Sequence, residues 1–545
     1  MTRPDARHRG RRGRAPRLRF AAVLAGTALL TGYAPVVSTG SAVEQQQAAA
    51  APTTARWSDG GATATHLAPV VAQLEVPPGP RQVLRVDLDG ARFLDVPDGC
   101  MPSSTLNVRS RLSASVETLH CWVREASRTR RITLTGLVVA PAGRTVDGTV
   151  TSRAGTSSLG RRLVLPGRDL PASRLRLVSS PDFLNADVGD LRDTPARWTP
   201  RRHPNSINGD YRRALDTVLD DWQSLRPDAV LVAGDMVDGW WGTDPAESGT
   251  FGPVKTAAQR RAALKRAAAT YYPQWLERFR ERNLDVLTAM GDHEYGDDPW
   301  PARKGGLARS FEGAYARHLG KLPERTARTR FDGVRVSRPR GVHRTSAYAM
   351  RPRPDVQLVT LNVFDITPQR SRVRLDDQQM RWLKQVLRRA ERDRVRWIVV
   401  QGHTPILWPV RTKGSSGLHY EGGRRSELWR TFKRYGVDLY LAGEVHATTA
   451  SEADGVTQIA HGGAFQYGLT TALVLDFTDD FAWVSLRDYD AVRGEARNGV
   501  RLWETRPAGM PARLRVDPDP FTIGTGILLP DGDLTRQSGI LQPVD

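Results

Sequence analysis

Val230-Leu-Val-Ala-Gly-Asp-Met-Val-Asp238 begins as an apolar run and ends in two carboxylates. The run of Val, Leu and Ala predicts a short buried strand, and Gly234 allows the backbone to turn sharply where that strand ends. A side chain at the C-terminal end of a buried parallel strand points into the crevice where α/β proteins bind ligands. The segment therefore predicts acidic groups at the rim of a sheet.

Four other segments repeat this arrangement of an apolar run followed by an acid or a histidine. They are Leu177-Val-Ser-Ser-Pro-Asp182, Leu287-Thr-Ala-Met-Gly-Asp-His-Glu294, Ile398-Val-Val-Gln-Gly-His403 and Leu439-Tyr-Leu-Ala-Gly-Glu-Val-His446. Carboxylate oxygens and imidazole nitrogens are ligands for divalent cations. Five such strand ends in one chain predict a site for one or two metal ions.

The order of the five segments resembles that of the calcineurin-like metallophosphoesterase family. That family carries, in sequence, Asp-x-His, Gly-Asp-x-x-Asp, Gly-Asn-His-Glu or -Asp, Gly-His and Gly-His-x-His. Gly234-Asp-Met-Val-Asp238 and Gly402-His403 match outright. Three positions differ: Asp292 replaces Asn, Glu444 replaces the first His of the last motif, and Ser180-Pro-Asp182 stands where Asp-x-His is expected.

The resemblance extends over about residues 172 to 488 and implies a two-sheet α/β/β/α sandwich with two metals at its rim. Asp235 would bridge the two ions. One implied ligand set is Asp235, Asp292, His403 and Glu444. The other is Asp182, Asp235 and His446, with Ser180 a weak or absent ligand. His293 corresponds to the family's phosphate contact and candidate proton donor.

The replacements change the expected metal chemistry. Asp292 and Glu444 make one pocket richer in anionic oxygen, so the hard cations Mn²⁺, Mg²⁺, Ca²⁺ and Fe³⁺ should gain relative to Zn²⁺. The other pocket loses a carboxylate and has Asp182 in place of an imidazole. We expect that pocket to bind its ion weakly or only together with substrate, and the metal content to stay below two ions per chain unless metal is added.

The implied function is hydrolysis of phosphate mono- or diesters through a metal-activated water. The alternative is a degenerate relative that binds metal or phosphate without turnover, because the opening motif is altered. A nuclease is a third hypothesis, since the net charge is +20. The basic residues are almost all arginine, with seven lysines, and are scattered along the chain without a nucleic-acid-binding motif. We therefore expect a phosphate-ester substrate and no dedicated nucleic-acid binding.

The N-terminus has the pattern of an export signal. Residues 1–19 hold eight arginines and one aspartate, and an apolar run follows from Phe20 to Val37. Small residues up to Ala42 fit a cleavage site, which predicts a signal peptide over residues 1–42 and an extracellular or cell-envelope location. An uncleaved anchor helix is the alternative, although the apolar run of 18 residues is interrupted by proline and is short for a membrane span.

Composition shifts divide the rest of the chain. Residues 43–60 begin Gln- and Ala-rich and are expected to be a flexible linker. Residues 61–165 alternate apolar and polar positions, which predicts a small antiparallel β domain. Residues 172–490 alternate strands and helices, as in an α/β fold, with helices at 211–225, 255–283 (or two helices broken at Pro273) and 376–391. Residues 491–545 are expected to be a β-type extension on the edge of the main domain.

The two cysteines, Cys100 and Cys121, are 21 residues apart in the predicted β domain. In an exported protein such a pair is expected to form a disulfide. Loop-closure entropy predicts a stabilisation of roughly 3 kcal/mol for a loop of this size. Neither cysteine has the spacing of a metal ligand, so no cysteine metal site is expected.

Several polar residues have a structural explanation as well as a functional one. Asp238 can cap the turn after its strand, and Glu294 can orient a neighbouring histidine or touch substrate. His461 can lie beside the site or pack in the core. His343 and His419 lie in loop-like sequence and are expected to be solvated.

Overall fold

The computed structural model describes residues 51–65, 69–93, 99–102, 118–138, 140, 142–165, 173–183, 209–243, 251–297, 305–367, 369–412, 415–463, 470–489, 491–493, 514–518 and 520–541. The predicted signal peptide and residues 43–50 of the predicted linker lie outside these residues. Among the helices of the described residues, none is long and apolar enough to cross a membrane.

Three helices of the described residues begin at side-chain caps. The α-helices of the described residues are α1 (Gly209–Leu225), α2 (Ala257–Glu281), α3 (Ala308–His318), α4 (Leu322–Arg330), α5 (Asp377–Arg392) and α6 (Glu427–Tyr435). Side-chain oxygens of Thr256, Asp376 and Ser426 accept hydrogen bonds from first-turn N–H groups of α2, α5 and α6, which satisfies donors that lack an intrahelical partner. Helix α2 continues through Pro273, so the predicted helix is not broken there.

An antiparallel β domain occupies the first part of the described chain. Its strands are β1 (Thr54–Trp57), β2 (Thr63–Thr65), β3 (Pro69–Val76), β4 (Gln82–Asp89), β5 (Ala91–Phe93), β6 (Cys100–Pro102), β7 (Thr118–Val123), β8 (Arg130–Val138), β9 (Thr145–Ser152), β10 (Gly155–Ser158) and β11 (Arg162–Leu165). They form one sheet in the order β1-β3-β8-β5 and another in the order β2-β11-β9-β4-β7-β6, with β10 paired to β9. All pairs are antiparallel except β2 with β11.

The two sheets of this domain share one hydrophobic core. Leu74 and Leu134 from the first sheet and Val86 from the second are fully buried in it. Strand β1 lies in the segment predicted as a flexible linker, and it pairs with β3. The linker prediction is wrong for these residues because Trp57, only 4% exposed, anchors the strand in the core.

The first sheet of the main domain has the order β14-β13-β12-β23-β24-β27-β28. Its strands are β12 (Leu175–Ser179), β13 (Ala229–Val232), β14 (Val286–Thr288), β23 (Thr471–Phe477), β24 (Ala482–Asp488), β27 (Phe521–Leu528) and β28 (Leu534–Gly539). Strands β12, β13 and β14 are parallel, whereas β23 to β28 pair antiparallel. The predicted C-terminal extension thus adds β27 and β28 to the edge of this sheet. A separate short pair, β25 (Val492–Arg493) and β26 (Leu514–Arg515), precedes them.

The second sheet has the order β15-β16-β19-β20-β22-β21. Its strands are β15 (Tyr348–Arg353), β16 (Val356–Thr360), β19 (Trp397–Gln401), β20 (Leu439–Ala442), β21 (Thr449–Ala453) and β22 (Val456–Ala460). Strands β16, β19, β20 and β22 are parallel. A hairpin of β17 (Phe364–Thr367) and β18 (Arg370–Val373) stands apart from both sheets.

The two sheets pack face to face, with helices outside. Leu231 of the first sheet and Val399 of the second belong to one buried cluster. Trp222 of α1 packs edge-on against Phe183, just beyond β12, and Phe432 of α6 contacts Tyr440 of β20. These contacts confirm the predicted α/β/β/α sandwich preceded by an antiparallel β domain.

A polar contact holds the two sheets together where their parallel strands end. The side-chain Nε2 of Gln401, the last residue of β19, donates to the carbonyl oxygen of Leu287 in β14 at 3.2 Å and to Thr360 Oγ1 at 2.9 Å. The C-terminal ends of β14 and β19 are therefore neighbours, which brings the polar residues that follow them to one place.

Two histidines predicted to be solvated differ in their environment. His419 is exposed, as expected. His343 is only 2% exposed, and its Nε2 lies 3.3 Å from Asp376 Oδ2. The prediction for His343 is wrong because a short 3₁₀ turn, Val342–Thr345, buries the ring beside the N-cap of α5.

Cys100 and Cys121 form a disulfide, as predicted, between paired positions of β6 and β7. We expect the variant Cys100→Ser/Cys121→Ser to lower the free energy of unfolding by roughly 3 kcal/mol, because the unfolded chain gains conformational entropy. Urea unfolding of the oxidised protein and the variant measures the difference. Wild-type protein reduced before unfolding is the control and should match the variant; equal stability of all three samples would contradict the prediction.

Candidate metal centre

Four of the acidic residues and histidines that follow the strand ends have an unusual backbone conformation. Asp182, Asp235, Glu444 and His446 all have left-handed φ angles, of 62°, 60°, 69° and 53°. This region is uncommon for residues with a Cβ, and such strain persists only where the surrounding structure enforces it. Four residues held in this way point to a functional constraint on where their side chains lie.

Asp235 lies at the centre of the site and is 1% exposed. Its Oδ1 accepts a hydrogen bond from the backbone N–H of His293 at 3.1 Å. Its Oδ2 lies 3.3 Å from His403 Nε2. The carboxylate thus faces both neighbouring segments, as a bridging ligand must.

Three groups of possible ligand atoms lie close enough together to hold a cation. Within each group the atoms are all within 4.8 Å of one another, and the groups are Asp182, Asp235 and His403; Asp235, Asp292 and His293; and Asp292, His403 and Glu444. All these side chains are buried. Carboxylate oxygens and imidazole nitrogens at such spacing form a donor set for divalent metals.

His403 is oriented by a backbone contact. Its Nδ1 donates to the carbonyl oxygen of Ala233 at 2.9 Å, which directs Nε2 toward the carboxylates. Nε2 lies 3.0 Å from Asp292 Oδ1 and 3.4 Å from Glu444 Oε2. Burial disfavours the charged ring, yet the surrounding carboxylates, Asp235 foremost, raise the pKa of His403 well above its usual value. A carbonyl that fixes the second ring nitrogen is the usual arrangement for a metal-binding histidine.

Asp182 has a buried carboxylate oxygen without a hydrogen-bond partner among the described residues. Its Oδ1 accepts a hydrogen bond from the Glu444 N–H at 2.9 Å, whereas Oδ2 is buried and has no hydrogen-bond partner among the described residues. Burial, together with the charges of Asp235 and Glu444, raises the pKa of Asp182 well above its usual value. Because an unpaired buried carboxylate is costly, a bound cation is the partner that fits this oxygen. The residues present therefore fit a metal centre.

Glycines give the backbone room to approach these side chains. A Cβ at Gly291 would lie 2.0 Å from Asp235 Oδ1, and one at Gly443 would lie 2.8 Å from Asp182 Oδ2. Gly234, with φ of 94°, has its missing Cβ 2.4 Å from His403 Nδ1. No larger residue fits at these positions without displacing a side chain of the site.

His293 is surrounded by carboxyl groups. Its Nδ1 donates to the carbonyl oxygen of Asp238 at 2.7 Å, and its Nε2 lies 3.6 Å from Asp297 Oδ1 and 4.0 Å from Asp235 Oδ2. Burial disfavours the charged ring, but Asp297, Asp235 and the neighbouring carboxylates raise the pKa of His293 to about 10. Asp238, for which a capping role was the alternative, is buried beside this histidine.

Glu294 has a role that sequence reasoning missed. Its carboxylate accepts hydrogen bonds from the backbone N–H groups of Asp235 (2.9 Å), Met236 (2.9 Å) and Gly291 (2.7 Å). Burial and the charge of Asp235 raise the pKa of Glu294 to about 7. Glu294 therefore ties the turn after β13 to the turn after β14, and it neither orients a histidine nor needs to touch substrate.

Glu444 divides its two oxygens between different partners. Oε1 accepts hydrogen bonds from Ser415 Oγ, Ser416 Oγ and the Leu418 N–H, whereas Oε2 faces His403. Burial and the charge of Asp292 raise the pKa of Glu444 to about 7. No pattern in the sequence linked Ser415 and Ser416 to this carboxylate.

Ser180 of the opening motif and His446 of the closing motif lie outside the three close ligand groups of the described residues. The hydroxyl of Ser180 donates to the carbonyl oxygen of Thr471 at 2.7 Å and so takes part in pairing the strands. His446 Nε2 lies 3.9 Å from Asp182 Oδ1, and His446 belongs to none of the three close groups of the described residues. Its assignment as a metal ligand stays a prediction, like those of the other site residues.

His461 lies beside the opening segment, one of the two places considered for it. Its Nε2 is 3.0 Å from Ser179 Oγ, and the ring is fully buried. Burial lowers the pKa of His461 to about 3, so the ring is neutral. The residue that follows, Gly462, approaches Asp182 closely. His461 therefore supports the strand end that carries Asp182.

Comparison with known proteins agrees with this geometry. Residues 187–447 match the sequence model of the calcineurin-like phosphoesterases. This region is similar in sequence to the calcineurin-like phosphoesterases. The matched region contains the segments from Asp235 to His446 and begins after Asp182. The resemblance inferred from the motifs is confirmed.

The solved structures to which this chain is similar share little sequence with it. The structure of PhoD is 11% identical, with a TM-score of 0.40, and the similarity covers 90% of this chain and 93% of that one. GAP50, the anchor in the inner membrane complex of Plasmodium, is 11% identical, with a TM-score of 0.31 and coverage of 58% of this chain and 85% of its own.

We expect Gly291→Ala to reduce the metal content of the purified protein, because the added methyl group must displace the Asp235 carboxylate. Bound Mn²⁺ per chain after dialysis against Mn²⁺ is the measurement. Gly313→Ala is the matched control, since Gly313 lies in α3 with no atom near its missing Cβ; it should keep the metal and gain up to about 1 kcal/mol of stability. Equal metal content in both variants would contradict the prediction.

We also expect Asp235→Asn to weaken Mn²⁺ binding in both pockets, by more than about tenfold, because the shared anionic ligand becomes a neutral amide. Titration calorimetry with Mn²⁺ alone measures the affinity of each pocket. Asp332→Asn makes the same change at an exposed position that also has a left-handed φ, and it should bind as wild type. Loss of only one pocket in Asp235→Asn would show that this carboxylate does not bridge.

Proposed function

We propose that this protein is a metal-dependent phosphoesterase that hydrolyses phosphate mono- or diesters outside the cytoplasm. The observation that carries the proposal is the position of Asp235, which belongs to two of the three close ligand groups and contacts both neighbouring segments. One carboxylate shared in this way supports two cations at adjacent positions, the arrangement that phosphoryl-transfer chemistry uses.

The site residues would form two ligand sets, one for each cation. Asp235, Asp292, His403 and Glu444 would hold one cation, and Asp182 and Asp235, with His403 or His446, the other. The bound cations would lower the pKa of a water molecule and offset the negative charge of the phosphoryl group. The buried walls keep these charges in a medium where electrostatic interactions are strong.

His293 is placed to act on the leaving group. Its Nδ1 is occupied by the Asp238 carbonyl oxygen, so Nε2 faces the interior of the site. The surrounding carboxylates keep the ring protonated, which allows Nε2 to donate a proton to the departing alkoxide oxygen. The residue is 7% exposed, more than the other members of the three close ligand groups.

A specific observation favours a second candidate function, metal or phosphate binding without turnover. The Ser180 hydroxyl is used by the backbone of β23, and the only acid of the opening motif is Asp182. One pocket then has fewer strong ligands than the other, and a single tightly bound cation would bind phosphate without supplying both halves of the reaction.

The proposed location rests on the N-terminal sequence and on the cysteines. The signal pattern of residues 1–42 supports export. The Cys100–Cys121 disulfide fits an oxidising compartment, because disulfides persist there and are rare in the cytosol.

We expect the metal-loaded protein to hydrolyse an aryl phosphate monoester or diester, and His293→Gln to lower kcat by about 10²- to 10⁴-fold, the usual contribution of a general acid. Release of the aryl alcohol under Mn²⁺, Mg²⁺, Ca²⁺, Fe³⁺ and Zn²⁺ measures activity. An ester with a better leaving group should lessen the defect, because such a leaving group needs less protonation.

Asp235→Asn is the inactive reference for these assays. Wild type as inert as Asp235→Asn under every cation, while still binding metal, would favour the binding protein over the enzyme. Activity on polynucleotides that falls steeply with salt would instead indicate a nuclease.

A further inference from the structure

We propose that Ser415 and Ser416 are positioning residues that hold Glu444 as a metal ligand through a single oxygen. The loop 415–418 would thereby set the affinity and the preference of one pocket for its cation. The inference rests on the proposed function insofar as both need a cation at Asp292, His403 and Glu444.

The contacts of Glu444 separate its two oxygens. Oε1 accepts from Ser415 Oγ at 3.1 Å, from Ser416 Oγ at 2.7 Å and from the Leu418 N–H at 3.0 Å. Oε2 lies 3.4 Å from His403 Nε2. Three donors fill the accepting capacity of Oε1, so Oε2 is the oxygen available to a cation. The side chain is 3% exposed, and the loop covers it.

The donors suit a carboxylate and not the histidine that the family motif carries at this position. A neutral imidazole that binds a metal through one nitrogen carries a proton on the other and needs an acceptor there. The Leu418 N–H can only donate, and it would face that ring proton. A carboxylate needs donors on its second oxygen, and the loop supplies three. The loop and Glu444 therefore form one complementary unit.

The loop is anchored on both sides, so it can hold the carboxylate in place. Before the loop, the backbone N–H groups of Ile406 and Leu407 donate to Gln458 Oε1 at 2.7 and 2.8 Å. At its end, the Tyr420 N–H donates to the Pro405 carbonyl oxygen at 2.9 Å. In the sequence the loop lies between His403 and Glu444, the two ligands proposed for the same pocket.

The two serines differ in a way that makes the test clean. Ser415 Oγ also accepts a hydrogen bond from the Gly417 N–H at 2.8 Å, so it shapes the loop itself. Among the described residues, the side-chain contact of Ser416 is with Glu444. Removing the Ser416 hydroxyl therefore changes the support of the ligand with the least change to the loop.

The test measures binding of Mn²⁺ alone, by titration calorimetry and by electron paramagnetic resonance, in full-length protein stripped of metal. Ser416→Ala should weaken one of the pockets about tenfold, and Ser415→Ala/Ser416→Ala up to about 100-fold, as loss of a partner behind a metal ligand does. Ser416→Thr keeps the hydroxyl and should bind as wild type. Ser224→Ala removes a surface hydroxyl that donates to the Asp221 carbonyl oxygen, and it serves as the matched control.

Glu444→His supplies the second arm. Although histidine is the residue of the family motif, this variant should bind Mn²⁺ more weakly than wild type and shift the preference of the pocket toward Zn²⁺. Unchanged Mn²⁺ affinity in Ser416→Ala and in the double variant would overturn the inference, as would Glu444→His binding Mn²⁺ as tightly as wild type. The melting temperature of metal-free Ser416→Ala should equal that of metal-free wild type, which excludes a merely structural effect for that variant.

The outcomes separate this inference from the proposed function. The expected affinities without hydrolysis of any phosphate ester would support the positioning role and count against the enzyme. Hydrolysis of a phosphate ester by wild type, together with unchanged Mn²⁺ affinity in the serine variants, would support the enzyme and count against the positioning role. Wild type that binds no Mn²⁺ would overturn both.

Discussion

The structure depends on how much negative charge it buries in one place. Asp182, Asp235, Asp292, Glu294 and Glu444 are each at most 3% exposed, and they lie at the ends of strands that converge. Burial, and after it repulsion between neighbouring carboxylates, raises the pKa of Asp182 and Glu444 above the usual values. His293 and His403 offset part of this cost. Bound cations would offset the rest, so the apolar sandwich around the site acts as the support for an arrangement that is unfavourable by itself.

The backbone is shaped to keep these charges together. Left-handed φ angles at four of the site residues, and glycines at positions 234, 291 and 443, bring main chain and side chains closer than ordinary residues allow. Glu294 then joins two of the turns by accepting three backbone N–H groups. A carboxylate used in this way stiffens the site without being a ligand, and it explains why an acid follows His293 directly.

The sequence predicted the strand ends and the side chains that follow them, because a short apolar run before Gly and an acid leaves little other choice of structure. It could not predict contacts made across the fold. Ser416 donates a hydrogen bond to Glu444, which is 28 positions away in the sequence. His343 is buried by a 3₁₀ turn that the pattern of apolar residues does not predict. Strand β1 was missed because its only strong apolar anchor is Trp57. Local patterns thus identified the chemistry, whereas the supports behind it needed coordinates.

The two altered motifs have opposite consequences. At Glu444 the change from the family pattern is matched by a loop whose donors complement a carboxylate, so that pocket is built around its own residue. At Ser180 the change is not matched: the hydroxyl turns to the carbonyl oxygen of Thr471, and Asp182 Oδ2 has no hydrogen-bond partner among the described residues. The pocket near Asp182 therefore has a charge without a full set of ligands. Asp235 is common to both pockets. A cation bound at Asp235 and Glu444 would therefore reduce the repulsion that Asp235 exerts on Asp182. Binding of that cation would favour ionisation of the Asp182 carboxyl group in the other pocket.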